Sequence, residues 1–201
     1  MSDRAAEPTD AVGYDTSPRD RVWMAGLMGC GKTTVGTVLA GRLRCSYIDN
    51  DLTIAKSAGR TTTELSRIGG ELHQREAAYV RQVAALPAPV VAGIPASAAD
   101  RPDDLVLLHA SGLLVYLRCS LDTLLERVRS DPPRPFLVGN IEDVLGEMLE
   151  VRGPQLEEVA GLVVDGSKPV VDIVDTILRA LANRRAAAPP ATPTGPPDAD
   201  A

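Results

Sequence analysis

The run Gly26-Leu27-Met28-Gly29-Cys30-Gly31-Lys32-Thr33 constrains this chain more than any other stretch. Its three glycines let the backbone curl so that successive N–H groups point into one concavity. The apolar run from Arg21 to Ala25 in front of it reads as a strand, and a helix beginning near Lys32 closes the concavity with its unpaired amide donors. The result is an anion site. Lys32 has the reach to set its ammonium between terminal phosphates, and the Thr33 hydroxyl can ligate a magnesium ion that bridges them. Gly29, Cys30, Gly31, Lys32, Thr33 and Thr34 are therefore the expected nucleotide-binding positions. Cys30 reads as a small loop residue, because bound phosphate would fill the space a nucleophile needs.

The chain has 201 residues, 44% of them hydrophobic, which suits one globular domain. Its 21 basic and 27 acidic side chains give a net charge of −6, a field that repels nucleic-acid phosphates. No nucleic-acid partner is expected. Cys30, Cys45 and Cys119 are odd in number and lack C-x-x-C spacing, which argues against a disulfide framework or a zinc site and for a reducing cytoplasm. Positions 1–19 are polar and no later run is long enough to span a bilayer, so no membrane partner is expected either. The expected state is a monomer.

Residues 1–18 and the Ala/Pro-rich segment 186–201 bury too little apolar surface to offset the cost of ordering, so both read as disordered tails around a domain at 19–185. Within that domain, Arg21 to Ala25, Ser46 to Ile48, Val90 to Ala92, Leu113 to Leu117 and Leu162 to Val164 read as strands alternating with helical patterns. The implied fold is α/β: a five-stranded parallel sheet with helices on both faces. Val170, Ile173, Val174, Ile177, Leu178 and Leu181 share one face of a final helix behind Pro169. Asp131-Pro132-Pro133-Arg134-Pro135 cannot continue a helix, so 131–140 reads as an exposed loop and a candidate lid, with a long helix near Asn140 to Glu158 beyond it.

Ile48-Asp49-Asn50-Asp51 puts two carboxylates at the carboxyl end of the second strand, where open α/β sheets place their ligands. One could hold magnesium through water and the other accept a hydroxyl proton. Equally, Asp51 could simply cap the next helix. His73 and His109 have no metal-ligand partner in register and read as surface or helix-face residues, and Trp23 reads as core.

From about Val22 to Leu181 the chain resembles the shikimate kinases, P-loop enzymes of the nucleoside-monophosphate-kinase-like group. Five motifs in order carry the resemblance: Gly-x-x-Gly-x-Gly-Lys-Thr; Ile-Asp-Asn-Asp; Gly70-Glu71 with Arg75 four residues on; the lid motif Arg134-Pro135-Phe136-Leu137; and Arg152-Gly153-Pro154. The resemblance implies an ATP-dependent kinase acting on the hydroxyl of shikimate, a step toward aromatic amino acids. Lys32, Asp51 and Arg134 would be its catalytic residues, and Asp49 would support magnesium through water beside Thr33. Arg75 and Arg152 would grip the acceptor carboxylate, the planar guanidinium fork being suited to two oxygens, with Gly93 also at the acceptor. Arg127 and Pro169 fall where the family sandwiches adenine.

The acceptor half departs from the family pattern. The family's glycine triplet after the third strand reads Gly93-Ile94-Pro95, in which Pro95 has no N–H to give and Ile94 is expected to add bulk where backbone meets substrate. A hydroxyl left unpaired there would cost about 1–3 kcal/mol. Two phenylalanines usual in the pocket correspond to Ser66 and Gln74, and an acidic residue corresponds to Ala78. These changes keep two alternatives open: a related kinase for another small hydroxy-acid or polyol, and an ATP-binding relative without catalysis.

Overall fold

The computed structural model describes residues 20–130 and 140–187. Both expected tails, apart from Ala186 and Ala187, lie outside those residues, as does the lid motif with Arg134. Five strands form one sheet: β1 (Arg21–Ala25), β2 (Tyr47–Ile48), β3 (Val90–Gly93), β4 (Leu113–Arg118) and β5 (Leu162–Asp165). Their spatial order is β2-β3-β1-β4-β5 and every pair is parallel. Each strand lies within a residue of its sequence expectation at either end.

Parallel neighbours need crossovers, and helices supply them on both faces. The side-chain alternation of the strands divides the core accordingly. Val22 and Met24 of β1 with Leu113, Val115 and Leu117 of β4 face Val35 and Leu39 of α1 (Lys32–Arg42) and Ile173, Val174 and Ile177 of α8 (Val170–Ala187). Trp23 and Ala25 with Leu114 and Tyr116 turn the other way. They meet Tyr79 and Val80 of α4 (Glu71–Ala84), Leu105 and Leu108 of α5 (Pro102–Ser111), and Leu156 of α7 (Ile141–Val159). Trp23 is fully buried, as expected, and its indole N–H donates to Ser111 Oγ at 3.2 Å.

The last helix buries the expected stripe from Ile173 to Leu181, leaves Val170 half-buried, and runs two residues past the boundary expected at 185. Ala186 and Ala187 are strong helix formers, and Arg185 is held by an ion pair with buried Asp20, just ahead of β1, so the helix does not fray where the alanine-rich segment begins. The long helix α7 starts behind Asn140, whose side chain accepts from the Glu142 N–H at 3.2 Å. Among the described residues, no helix is long and apolar enough to cross a membrane.

The strand order creates a switch point. Adjacent β1 and β3 send their chains in opposite directions, β1 through α1 to β2 and β3 through α5 to β4. Their carboxyl ends therefore open onto a crevice, and the two loops that begin at Gly26 and Ile94 border it.

Candidate active site

The glycine turn adopts the curled path its sequence implies. Gly26, Gly29 and Gly31 have φ of 143°, 80° and 100°. At Gly29 a Cβ would also lie 2.8 Å from Val128, so both conformation and space demand glycine there. Gly31 caps α1 without any side-chain acceptor, which leaves the first amide donors of that helix available to an anion. Lys32 Nζ folds back to donate to the carbonyls of Gly26 at 2.7 Å and Leu27 at 3.1 Å. Thr34 is exposed on the first turn of α1. Thr33 Oγ1 donates to Asp49 Oδ2 at 2.8 Å, tying the turn to the end of β2.

Asp49, not Asp51, caps α2 (Asn50–Ala58): its Oδ1 accepts from the Leu52 N–H at 3.0 Å, and its extended backbone (φ −83°, ψ 128°) suits that position. Asp51 sits in the first turn, where its Oδ1 accepts from the buried Asn50 side-chain amide at 2.8 Å. Tyr47 and Tyr79, which no sequence motif singles out, lie within electrostatic reach of these carboxylates. Tyr79 Oη donates to the Gly93 carbonyl at 2.9 Å, and Tyr47 Oη lies 2.4 Å from where a Gly93 Cβ would stand. Burial raises both phenols well above their ordinary range, so both keep their protons.

One expectation about the altered triplet is overturned. The Ile94 side chain is 1% exposed and packs in the core on the Trp23 side, while its N–H donates to the Met24 carbonyl at 2.9 Å in continuation of the sheet. The strand pleat turns it away from the crevice, so it adds no bulk there. The real change is Pro95, which removes a donor and starts a 3-10 turn at Ala96–Asp100.

Arg75 on α4 donates through Nε and Nη2 to Glu71 Oε1 at 3.0 and 2.7 Å. It lines an open concavity with Ile68, Gly69, Glu71, Gln74 and Ala78. Ser66, the last residue of α3 (Thr62–Ser66), is exposed and returns its hydroxyl to the Thr63 carbonyl at 2.8 Å. Arg152 on α7 makes a two-toothed pair with Asp100, at 2.8 and 2.6 Å. Arg127, on α6 (Leu121–Ser130), is far from a solvated surface charge. Its Nη1 donates to the carbonyls of Gly29 and Cys30 at 3.4 and 3.3 Å, and its Nη2 to Gly166 at 2.9 Å, three residues before the exposed Pro169.

Behind the crevice, Ser97 of the 3-10 turn donates to Glu76 Oε2 at 2.6 Å. Burial pushes the Glu76 carboxyl above the usual carboxylate range, against the pull of Ser97, His73 and Arg101. Nothing local in the sequence marks this pair or Asp100, because their partners are 21 and 52 residues away. His109 is a helix-face residue as expected, its Nδ1 3.0 Å from the Val159 carbonyl. Cys119, buried beside the turn, has its thiol pushed up to about 11 by burial and so stays protonated near neutrality.

A parallel sheet in this order, with a glycine turn carrying Lys32 and Thr33 after β1 and Asp49 and Asp51 after β2, defines a P-loop kinase of the nucleoside-monophosphate-kinase-like type. The shikimate kinase family model matches residues 28–182. The chain is 37% identical over 161 residues to the shikimate kinase of Thiobacillus denitrificans, covering 77% of this chain and 86% of that one. It is also 37% identical over 167 residues to the shikimate kinase of Dechloromonas aromatica, covering 80% and 90%. Among solved structures, the shikimate kinase of Acinetobacter baumannii in complex with shikimate superposes with a TM-score of 0.76 at 28% identity, covering 83% of this chain and 95% of that one. This chain belongs to the shikimate kinase family.

Proposed function

We propose that the chain transfers the γ-phosphoryl group of ATP to a ring hydroxyl of shikimate. The observation that carries this reading is the Thr33–Asp49 bond with Asp51 two residues farther on. It joins the phosphate turn to a second carboxylate within a single helical turn, so donor and acceptor groups converge on one end of the sheet. In this reading Asp51 takes the acceptor hydroxyl proton as the oxygen attacks the γ-phosphorus, and the bond to the β-phosphate oxygen breaks to release ADP. Lys32 exchanges its two carbonyl partners for phosphate oxygens, and the amides of Gly29, Cys30, Gly31, Lys32, Thr33 and Thr34 hold the polyphosphate.

A hydroxyl and a carboxylate oxygen 2.8 Å apart are the hard donors magnesium prefers, so Thr33 and, through water, Asp49 fit that ion. Bound there, magnesium would neutralise charge on the β- and γ-phosphates. Arg75 and Arg152, with Gly93 between them in the chain, would grip the acceptor. Arg127 would hold the turn against the Gly166 segment, where Pro169 would meet adenine. Arg134, outside the described residues, is assigned on its Arg-Pro-Phe-Leu motif alone to stabilise charge on the transferring group. The three free thiols fit a reducing cytoplasm, and both faces of the sheet are covered by the chain's own helices, as a monomer requires.

The deciding measurement is ADP release with ATP, magnesium and shikimate, beside a no-acceptor control and Lys32→Ala. Shikimate-dependent release that falls about a hundredfold or more in the variant supports the reading. A second reading, another hydroxy-acid as acceptor, is favoured by Gln74 and Ala78 in the concavity around Arg75. A wild-type chain that ignores shikimate but turns over a different hydroxy-acid would establish it.

A further inference from the structure

A shikimate carboxylate bound as proposed needs a guanidinium edge facing it, and Arg152 has two such edges. One is Nε with Nη2, and the other is Nη1 with Nη2; together they carry five N–H donors. Asp100 occupies the first edge with both oxygens, at 2.8 Å from Nε and 2.6 Å from Nη2. It consumes two donors and leaves the terminal edge, with one hydrogen on Nη2 and two on Nη1, for a ligand. Arg75 is engaged on the same edge, by one oxygen instead of two: Glu71 Oε1 accepts from both Nε and Nη2 and leaves the Nη1 side. The same choice of edge at both grips, by carboxylates from different elements, shows a common geometry.

Asp100 ends the 3-10 turn that comes after Gly93-Ile94-Pro95, and that turn reaches both arginine-bearing helices. Ser97 binds Glu76, the neighbour of Arg75 on α4, while Asp100 binds Arg152 on α7. Arg101 donates to Ser97 and pairs with the buried Asp104, which fixes the turn itself. The short segment after β3 thus holds the Arg152 guanidinium directly and touches α4 one residue beyond Arg75. With Asp100 35% and Arg152 17% exposed and both oxygens engaged, the pair holds the guanidinium in one plane and one direction. Its effect lies in orientation.

We propose that Asp100 is the positioning residue of the acceptor grip: it fixes Arg152 by one edge so that the other meets the acceptor carboxylate end-on. This rests on the assignment of shikimate as acceptor. The test is steady-state kinetics on the full chain with Asp100→Asn and Asp100→Ser, each also combined with Arg152→Ala. Both single variants are expected to raise the KM for shikimate about tenfold, with kcat and the KM for ATP changed less than about twofold. In the Arg152→Ala background neither should add to the loss. Binding of shikimate by calorimetry should weaken in parallel. An unchanged or lowered KM in both single variants overturns the proposal, and a lowered one would make Asp100 a competitor for the fork. If the wild-type chain turns over no shikimate at all, the assignment of the acceptor has failed instead.

Discussion

Asp49 serves two elements with its two oxygens: Oδ2 accepts from Thr33 at the phosphate turn, and Oδ1 caps the helix that carries Asp51. A residue placed in this way is both a folding device and a candidate metal support, and the two roles separate by substitution. Asparagine caps a helix as well as aspartate but carries no charge. Asp49→Asn should leave the unfolding free energy within about 0.5 kcal/mol of wild type, whereas Asp49→Ala should lower it by about 1 kcal/mol. Both should raise the magnesium concentration needed for half-maximal ADP release. Denaturant titration beside a magnesium titration checks the split. Equal magnesium dependence in wild type and Asp49→Asn would remove the metal role.

Arg127 links the phosphate turn to the segment before α8 through three carbonyls. Arg127→Ala leaves those acceptors without it and should loosen the turn. We expect the KM for ATP to rise about tenfold, a loss typical of charged hydrogen bonds. The KM for the acceptor should be nearly unchanged. Arg127→Lys, which cannot span the carbonyls with a planar fork, should recover little of the loss. A lysine variant with wild-type ATP affinity would show that charge alone suffices.

Gly93 is required by its neighbour. An added Cβ would lie 2.4 Å from Tyr47 Oη and 3.0 Å from Asn50 Oδ1. Gly93→Ala should destabilise by about 1–3 kcal/mol, the usual range for overpacking. Tyr47→Phe in the same chain removes the obstructing oxygen and should recover part of that loss. A double variant no more stable than Gly93→Ala would mean that the strain lies elsewhere.

The Glu76 carboxyl is raised by burial in a setting that includes Ser97, His73, Arg101 and Asp51. Its folded pKa exceeds its unfolded one, so between the two the native state holds the extra proton and stability falls as pH rises through that window. Glu76→Gln keeps an acceptor for Ser97 and carries no charge. It should be more stable than wild type at neutral pH, with the difference disappearing below the ordinary carboxyl range. Thermal unfolding from acid to neutral pH reads this directly, and a variant less stable than wild type at neutral pH would show that the charged pairings outweigh burial.

The sheet is legible in the sequence because its strands are short apolar runs that alternate with helical patterns. The nucleotide side is legible for a related reason: a turn, its lysine and its threonine are contiguous, and their chemistry is local. The acceptor side is less so. Asp100 meets Arg152 across 52 residues, and Ser97 meets Glu76 across 21, by contacts that exist only once α4, α7 and the 3-10 turn are packed. Ile94 defeats a reading by sequence because one residue of pleat decides whether a side chain enters a crevice or the core, and an isolated triplet does not reveal its phase. The family resemblance marks Arg127 for adenine, but its tie to the phosphate turn through three carbonyls exists only once α6 is packed.

The ion pair between Asp20 and Arg185 brings together residues 165 positions apart, one just ahead of the central strand and one near the end of the last helix. A short peptide linker could therefore splice position 20 to position 187 and close the described region into a ring. The ring could then be reopened at another connection, such as the one between α4 and β3 where Ala85 and Pro87 are exposed, with the strand order intact. A permuted chain of that kind would keep the phosphate turn, the aspartates and the arginines in place on the sheet while changing which segment is synthesised first. The pair also lies outside the stretch 28–182 that defines the family match, so a fragment cut to that stretch would lose both the clasp and the strand at the centre of the sheet.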